Sequence, residues 1–421
     1  MKVARSIWLC VGCLAAAFLT ACGGGGSKST TASTPPNTIV TSGSNVVPIQ
    51  VNTGPDSAAF TYVNGAFVSV TVCSPGTATC QTIPEVLVDT GSVGLRIVSE
   101  NVLTVALPQQ KTSGGEAVAE CLQFLDSYTW GPVEMADVKI GGETASSVPV
   151  QVLSDTDYQV PASCGSMTPG SSADTVATLG ANGILGVGLY AQDCGSTCPA
   201  AANTYFSCPS ATTACTAIAQ SAADQVTDPV TLFAKDNNGV ILELPGVSGA
   251  EATVNGSLVF GIGTESNNTL GGATVYTVDA ISGNFNTAFN GTTFAKGGFI
   301  DSGSNGYFFP DSSITQCSST SNAFGFYCPG STLNLSATNS GVTAGSGTVN
   351  FSIGNAGTMF SEDTSAAAFG DLGGPTALPT GSASTTQDIF DWGLPFFYGR
   401  NVFVAIDGQS APGGATPYWA Y

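Results

Sequence analysis

The sequence VLVDTGS at residues 86–92 is matched by GFIDSGS at residues 298–304. In both stretches an apolar run ends at an aspartate, and a hydroxyl residue, a glycine and a serine follow. A single Asp-Ser/Thr-Gly triplet is a weak signal in a chain this rich in Ser, Thr and Gly. These two triplets are the only ones in the chain, however, and their shared context predicts two similar halves that each contribute one aspartate. The alternative is two strand-to-turn junctions whose side chains satisfy local backbone groups.

The two carboxyl groups, Asp89 and Asp301, have a specific chemical use if they lie close together. Like charges at short distance cannot both form easily, so such a pair shares one proton. One carboxyl group is then a base and the other an acid at the same pH, and together they can activate water and protonate a leaving group. Glycine permits a close approach of the two loops, and the hydroxyl groups are expected to donate to the carboxylates. The supporting residues are Thr90, Gly91, Ser92, Ser302, Gly303 and Ser304.

Further motifs extend over about residues 60–407, and their order resembles that of the pepsin-like aspartic peptidases. The similar stretches are DTGSVGL at 89–95 (first catalytic loop), YTWG at 128–131 with DVKIGG at 137–142 (flap hairpin), NGILGVG at 182–188 (support of the first loop), GSLVFG at 256–261 (end of the first lobe), 301–310 (second catalytic loop) and 392–407 (final strands). The chain also resembles a group of bacterial lipoproteins with these paired motifs. The resemblance implies an all-β, two-lobed pepsin-like fold with a cleft between the lobes. It also implies an aspartic endopeptidase that acts on an extended peptide or unfolded protein without a cofactor.

The resemblance assigns residues 46–268 to the N-terminal lobe and residues 269–421 to the C-terminal lobe. It makes Tyr128 the flap tyrosine, and it places Arg96 where the family has a tryptophan that steadies this tyrosine. An arginine can donate to a phenolic oxygen or lie over the ring, so Arg96 is the candidate flap partner. The alternative is an ordinary surface arginine. Pro395 occupies the expected position of a glycine in the second supporting segment, which predicts a different support there.

Secondary-structure patterns independently favour an all-β chain. There are 53 glycines, and short runs that alternate apolar with small or polar residues recur between turn signals. The predicted strands are 66–72, 85–88, 133–140, 148–153, 257–262, 273–278, 299–300 and 401–406. One short helix is predicted at 229–235, with Asp228 as its N-cap and Pro229 at its first position.

The composition excludes several classes of function. The chain of 421 residues has no histidine, which rules out a Ser-His-Asp triad, a Cys-His pair and histidine-based metal sites. With 29 acidic and 9 basic residues its formal charge is −20, which argues against a nucleic-acid partner. Hydrophobic residues make up 43% and are sufficient for a sizeable core. We expect a monomer without a metal or cofactor.

The N-terminus has the pattern of a lipoprotein signal peptide over residues 1–21. A basic start with Lys2 and Arg5 precedes a short apolar stretch, and the lipobox LTAC ends at Cys22. Lipidation of Cys22 predicts a membrane anchor in the bacterial cell envelope, with residues 22–45 as a flexible tether. Gly23 follows the cysteine instead of aspartate, which favours the outer membrane. The alternative is an ordinary secretory signal.

The cysteines agree with an oxidising compartment. Processing at Cys22 leaves ten further cysteines, an even number that predicts disulfide bonds. They are Cys73, Cys80, Cys121, Cys164, Cys194, Cys198, Cys208, Cys215, Cys317 and Cys328. The pairs 73–80 and 317–328 are separated by short turns, and 121–164 is a further candidate pair. The alternative for residues 194–215 is a zinc site, but their spacing does not match paired CxxC motifs.

Two functions from different classes fit these features. The first is hydrolysis of peptide bonds through Asp89 and Asp301, which the presence of both aspartates favours. The second is a non-catalytic envelope lipoprotein that uses the same cleft to hold an extended peptide or polymer. A structural or adhesive role would depend only on the acidic surface.

Overall fold

The computed structural model describes residues 37–421 apart from 126, 154–155, 157, 165–171, 196–197 and 376–388. The predicted signal peptide, the lipidated Cys22 and the tether up to residue 36 lie outside these residues. The described chain consists mainly of strands, with short helical turns between some of them. The prediction of an all-β protein is therefore confirmed.

The strands up to residue 260 are β1 (Val46–Asn52), β2 (Gly65–Cys73), β3 (Cys80–Asp89), β4 (Val93–Val98), β5 (Ala117–Gln123), β6 (Tyr128–Ile140), β7 (Glu143–Leu153), β8 (Gly183–Val187), β9 (Tyr205–Cys208), β10 (Thr216–Ile218), β11 (Gly239–Leu244), β12 (Ala250–Glu251) and β13 (Val254–Phe260). The later strands are β14 (Val275–Thr277), β15 (Phe285–Phe289), β16 (Thr292–Ile300), β17 (Tyr307–Phe308), β18 (Leu333–Ser340), β19 (Ser346–Ile353), β20 (Ala368–Phe369), β21 (Gly373–Gly374), β22 (Phe390–Trp392), β23 (Arg400–Ala405) and β24 (Tyr418–Ala420). Every predicted strand coincides with one of these or overlaps it.

The helical elements are short. The α-helices are α1 (Val176–Leu179) and α2 (Ala356–Glu362), and 3₁₀ turns occur at Ala200–Ala202, Ala222–Asp224, Pro229–Leu232 and Leu394–Phe397. The predicted helix at 229–235 is thus a single 3₁₀ turn. Its N-cap is as expected, because the carboxylate of Asp228 accepts a hydrogen bond from the backbone N–H of Val230 at 2.9 Å.

Two large sheets contain most of the described strands. The larger has fifteen strands in the order β10-β9-β5-β6-β7-β4-β8-β3-β2-β1-β13-β11-β23-β24-β14, and the long strand β6 also pairs with β2. The smaller has the order β19-β18-β15-β16-β22-β17-β21, and β12 pairs with β20. The predicted lobe boundary at residues 268/269 falls between β13 and β14. The larger sheet crosses this boundary, because β11 pairs with β23 along its whole length.

An aromatic cluster fills the interior beside the smaller sheet. The rings of Phe309 and Phe390 stack with centroids 4.8 Å apart, and the ring of Trp392 lies 4.5 Å from that of Phe390. Phe289 and Phe351 pack edge-on against Phe390. Fully burying one large apolar side chain contributes roughly 1.5–3 kcal/mol, so this cluster holds strand β22 firmly in the interior.

All ten expected cysteines form disulfide bonds in five pairs. The predicted pairs Cys73–Cys80, Cys121–Cys164 and Cys317–Cys328 are confirmed. The remaining four cysteines pair as 194–198 and 208–215, which replaces the alternative of a zinc site. Cys73 and Cys80 face each other on the paired strands β2 and β3, so this disulfide closes a hairpin as expected.

The end of the predicted tether is not free. The amide of Asn37 donates to the carbonyl oxygens of Leu244 and Arg400 at 3.0 and 2.9 Å. The backbone N–H of Val40 donates to the carboxylate of Glu243 at 2.6 Å. Residues 37–40 are therefore held against β11 and β23, and Asn45 donates to the carbonyl oxygen of Phe260 on β13, so the prediction of a flexible tether up to residue 45 is wrong at these positions. No helix within the described part of the chain is long and apolar enough to cross a membrane.

Candidate active site

The two aspartates follow strands with the same surroundings. Strand β3 runs parallel to β8 with Val88 opposite Leu185, and β16 runs parallel to β22 with Ile300 opposite Trp392. On its other side, β8 pairs antiparallel with β4, and β22 pairs antiparallel with β17 in the same way. Asp89 ends β3 and Asp301 directly follows β16, so both carboxyl groups stand at the carboxyl end of a strand held on both sides.

This register corrects the expectation at Pro395. Gly393 follows Trp392 as Gly186 follows Leu185, so Gly393 is the glycine of the second supporting segment. A Cβ atom on Gly186 would lie 2.6 Å from the backbone N of Val93, and one on Gly393 would lie 2.1 Å from the carbonyl oxygen of Gly306. Both positions therefore exclude a side chain, and the two loops are supported in the same way.

A reciprocal set of hydrogen bonds joins the two loops. The hydroxyl of Thr90 donates to the carbonyl oxygen of Ile300 at 3.0 Å and accepts from the N–H of Ser302 at 3.0 Å. The hydroxyl of Ser302 donates to the carbonyl oxygen of Val88 at 2.7 Å and accepts from the N–H of Thr90 at 3.1 Å. Both hydroxyls were expected to donate to the carboxylates. They instead fix the loops to each other, since each bonds to the backbone of the opposite loop.

The other two hydroxyls contact the carboxylates as predicted. Ser92 donates to one oxygen of Asp89 at 2.5 Å, and the N–H of Gly91 donates to the other at 2.8 Å. Asp301 accepts from Ser304 at 2.9 Å and from the N–H of Gly303 at 2.7 Å. Each carboxyl group is thus oriented by one hydroxyl and one backbone donor of its own loop.

The glycines place the carboxyl groups together. A Cβ atom on Gly91 would lie 2.6 Å from the carboxyl carbon of Asp301, and one on Gly303 would lie 2.7 Å from a carboxylate oxygen of Asp89. These distances are shorter than a van der Waals contact, so only glycine fits at either position. The predicted assembly of Asp89, Asp301 and their six supporting residues is therefore present in the structure.

A methyl group at Gly303 should separate the aspartates. We expect Gly303→Ala to lower any activity of the pair by roughly 10²-fold, because a displacement of about 1 Å from reacting geometry has that cost. The matched control is Gly330→Ala, since a Cβ atom there meets nothing within 4 Å. Steady-state assays of both variants check the prediction, and full activity of Gly303→Ala would contradict it.

The pKa of Asp301 differs from that of an isolated carboxyl group. Burial raises the pKa of Asp301 well above its usual value, and the nearby carboxyl groups of Asp89 and Asp391 raise it further. Asp89 is also buried, with 6% of its surface exposed. A raised pKa at Asp301 means that the pair keeps a proton at a pH where ordinary aspartates are ionised.

The pair opens onto a cleft of about 1380 Å³. Aromatic and aliphatic side chains dominate its walls, and no Lys or Arg lines it within the described ranges. The apolar lining residues include Phe60, Leu122, Phe124, Leu179, Phe299, Phe308, Phe326 and Ile389. A cleft of this size and polarity suits an extended, largely apolar ligand.

Tyr128 lies on a hairpin, but residues 128–131 and 137–140 of the predicted flap motif share one strand, β6, and the hairpin is formed with β5. Strands β5 and β6 pair with Gln123 opposite Tyr128, and Phe124, Leu125 and Ser127 of the connecting turn line the cleft. Tyr128 directly follows the turn and packs against the cluster that contains Trp130. Burial, together with the charge of Asp174, raises the pKa of Tyr128. The aromatic side chain that the hairpin presents to the cleft is Phe124.

Arg96 has a different role from the predicted one. Its side chain is fully buried and makes ion pairs with Glu120 at 2.8 Å and with Asp193 at 3.1 Å. It also donates to the carbonyl oxygen of Val93 at 2.6 Å. No hydrogen bond or ring contact joins it to Tyr128 in the described structure. Both expectations for Arg96, a flap partner and a surface residue, are therefore wrong.

This ion cluster joins three segments of the first half. Glu120 lies on the flap strand β5, and Asp193 precedes the Cys194–Cys198 disulfide. The hydroxyl of Tyr205 donates to Asp193 at 2.7 Å. Burial and the nearby carboxyl group of Glu120 raise the pKa of Asp193 well above its usual value. One arginine thus holds two buried carboxyl groups, and it connects strand β4, which follows the Asp89 loop, with strand β5 of the hairpin.

Sequence reasoning missed Glu120, Asp193 and Asp391. Glu120 and Asp391 each interrupt an apolar strand, AVAECL and IFDW respectively, and both are buried. A charged residue within such a run is a usable signal, because ionisable groups are rarely buried without a partner or a function. Asp193 lies in a polar insert, where nothing in the local sequence distinguishes it.

The fold and the site together define an all-β protein with a paired-aspartate cleft. Residues 41–421 match the family described as "Protein of unknown function (DUF3443)", and the chain belongs to this family. No curated protein matches the chain. Among solved structures, the aspartic proteinase from Irpex lacteus is similar with 16% sequence identity and a TM-score of 0.46. The match covers 89% of this chain and 96% of that one.

Proposed function

We propose that the protein is an aspartic endopeptidase that hydrolyses peptide bonds by means of water activated between Asp89 and Asp301. The observation that carries this proposal is the close approach of the two carboxyl groups, each oriented by its own loop. A Cβ atom on either loop glycine would lie within 2.7 Å of the opposite aspartate side chain. A merely structural pair of turns has no need to bring a buried carboxyl group, Asp89, and a partly buried one, Asp301, together, because desolvation of like charges is unfavourable.

The geometry supports a chemistry without a cofactor. The carboxyl pair holds one proton, so the ionised member takes a proton from water while the protonated member donates to the carbonyl oxygen of the substrate. The hairpin tip at Phe124 and Leu125 lies over the cleft, where it can exclude bulk water and orient the substrate. The apolar walls suit an unfolded segment with large apolar side chains.

A direct assay tests the proposal. Purified protein is incubated with a denatured protein mixture at several pH values, and new termini are identified by mass spectrometry. We expect cleavage that falls as the pH rises through the upper apparent pKa of the pair, since loss of the shared proton removes the acid. A statine-type mimic of the tetrahedral intermediate should inhibit it. Tight binding of extended peptides without cleavage would favour the non-catalytic binding protein instead.

We also propose that the protein is anchored through Cys22 in the bacterial cell envelope, with the outer membrane as its site. The lipobox at residues 19–22 supports this, and so do five disulfide bonds, which require an oxidising compartment. We expect Cys22→Ser to move the protein from the membrane fraction to the soluble fraction. Cys13→Ser, within the signal peptide, is the matched control and should remain in the membrane fraction. Membrane association of Cys22→Ser would contradict the anchor.

A further inference from the structure

A third acidic residue lies beside the aspartate pair. Asp391 is the central residue of β22, where it stands opposite Phe299 of β16 and Phe308 of β17. It is 2% exposed and lies between two residues of the aromatic cluster. The corresponding position beside the first loop, on β8, is the apolar Ile184. The carboxyl group therefore belongs to one half of the site only.

Asp391 lies next to the aspartate pair, because Asp301, Ser304 and Asp391 line the same cleft. The hydroxyl of Ser304 donates to Asp301 at 2.9 Å, and its interaction with the carboxyl group of Asp391 lowers the pKa of Asp391. The Oδ1 atom of Asp391 is buried and has no hydrogen-bond partner among the described residues. A hydroxyl group has one hydrogen and cannot donate to two carboxylates at once. If Asp301 and Asp391 were both ionised, this hydroxyl could therefore donate to only one of the two carboxylates.

The charged surroundings of Asp391 are acidic. Asp301 follows β16, Asp89 faces from the first loop, and both act electrostatically on this region. Of the titratable groups on the adjacent strands, Tyr307 packs its ring against Trp392, and Lys296 is exposed and paired with Asp279. The 3₁₀ turn at Leu394–Phe397 carries no ionisable side chain. Burial first, and the charge of Asp89 next, raise the pKa of Asp391 well above its usual value.

We propose that Asp391 is a positioning residue that acts through Ser304 and enlarges the aspartate pair to a unit of three carboxyl groups. This unit retains the proton of the pair at a pH where two carboxyl groups alone would lose it. The inference rests on the proposed function, because it assigns to Asp391 control of the pH range of the same site. The role is specific to this half of the molecule, since Ile184 occupies the equivalent position in the other.

The direction of the effect follows from the charges. When Asp301 and Asp391 together hold a single proton, the loss of that proton adds a further negative charge to a buried acidic site. That loss is therefore postponed to higher pH, and for part of this range the proton resides on the catalytic pair. Without the carboxyl group of Asp391 the pair should lose its proton at lower pH. If Asp391 acted only as a neutral donor to Ser304, its removal would shift the loss to higher pH.

The test compares Asp391→Asn and Asp391→Ile with the unmodified protein. Asparagine keeps the shape of the side chain, and isoleucine reproduces the residue of the first half. We expect the alkaline limb of kcat/KM to move to lower pH by about one unit in both variants, the lower end of the effect of a neighbouring charge. The control is Asp228→Asn, which removes another fully buried carboxyl group with an unpartnered oxygen, on the 3₁₀ turn at Pro229–Leu232. It should leave the alkaline limb unchanged.

A second measurement does not depend on hydrolysis. Difference infrared spectra follow the carbonyl band of protonated carboxyl groups in the free protein as the pH rises. In Asp391→Asn we expect the carbonyl band of the protonated aspartate pair to disappear at a pH about one unit lower than in Asp228→Asn. If the unmodified protein cleaves nothing, this titration still decides the inference although the proposed function fails. If cleavage occurs but the alkaline limb of Asp391→Asn is unshifted or moves to higher pH, the inference is overturned while the function stands.

Discussion

If the aspartate pair hydrolyses peptide bonds as proposed, replacement of Asp89 or Asp301 by asparagine is expected to lower kcat/KM by roughly 10²–10⁴-fold, the usual contribution of a positioned acid or base. Asparagine has nearly the shape of aspartate and can still accept from the loop donors, which are Gly91 and Ser92 at position 89 and Gly303 and Ser304 at position 301. It cannot take a proton from water or share one with its partner. The loss should therefore appear in kcat with the fold intact.

Both variants are compared with Asp311→Asn, whose carboxylate accepts from Ser313 in an exposed turn. Near-ultraviolet circular dichroism and thermal unfolding establish that all three variants are folded. A statine-type mimic should still bind the asparagine variants, though more weakly, because the cleft walls are unchanged. Undiminished turnover in Asp301→Asn would reject the mechanism, and a loss of similar size in Asp311→Asn would point to a general defect.

Removal of the buried arginine should have the largest effect on stability. We expect Arg96→Met to lower the free energy of unfolding by about 3–5 kcal/mol, the usual cost of leaving a buried charge without its partner. Methionine fills much of the same volume, so the loss is electrostatic more than it is a packing defect. Glu120 and Asp193 would remain in an interior where their side chains are 2% exposed or less. Denaturant unfolding monitored by tryptophan fluorescence measures the change.

The partner of Arg96 can be identified by a double-mutant cycle. Glu120→Gln combined with Arg96→Met should be less destabilising than the sum of the single variants, because the double variant leaves one buried charge fewer. Tyr128→Phe combined with Arg96→Met should give additive losses, since the two side chains are not in contact. The exposed pair Lys235–Glu265 provides the control, and Lys235→Met should change stability little. Additive losses for the Glu120 cycle would contradict the assignment.

The features that sequence reasoning predicted correctly depend on short stretches of chain. The two aspartate loops, the hairpin disulfide Cys73–Cys80 and the N-cap at Asp228 each lie within about one strand and one turn. Local patterns carry enough information there because the interacting groups are close in sequence. The meeting of the two loops was also predictable, because two similar motifs in one chain have a common chemical use.

The features that were missed depend on contacts between distant segments. The partners of Arg96 follow it by 24 and 97 residues, and no local pattern connects them. Register caused the other errors. The assignment of Pro395 was two residues out of register, because the glycine that matches Gly186 in the strand pairing is Gly393. Tyr128 was predicted as the flap tyrosine, but its pairing with Gln123 places it at the start of β6, and the turn before it lines the cleft instead.

The pairing of β11 with β23 has a consequence for the order of folding. Strand β11 pairs with β13 on one side, and its other edge pairs with β23, which is synthesised much later. A chain synthesised from its N-terminus therefore holds an unpaired, apolar strand edge until its last residues arrive, and such edges promote aggregation. Closing the long stretch of chain between β11 and β23 costs conformational entropy before the two strands pair, and this slows folding. A chain that ends before β23 would keep this edge exposed and would be a substrate for quality control.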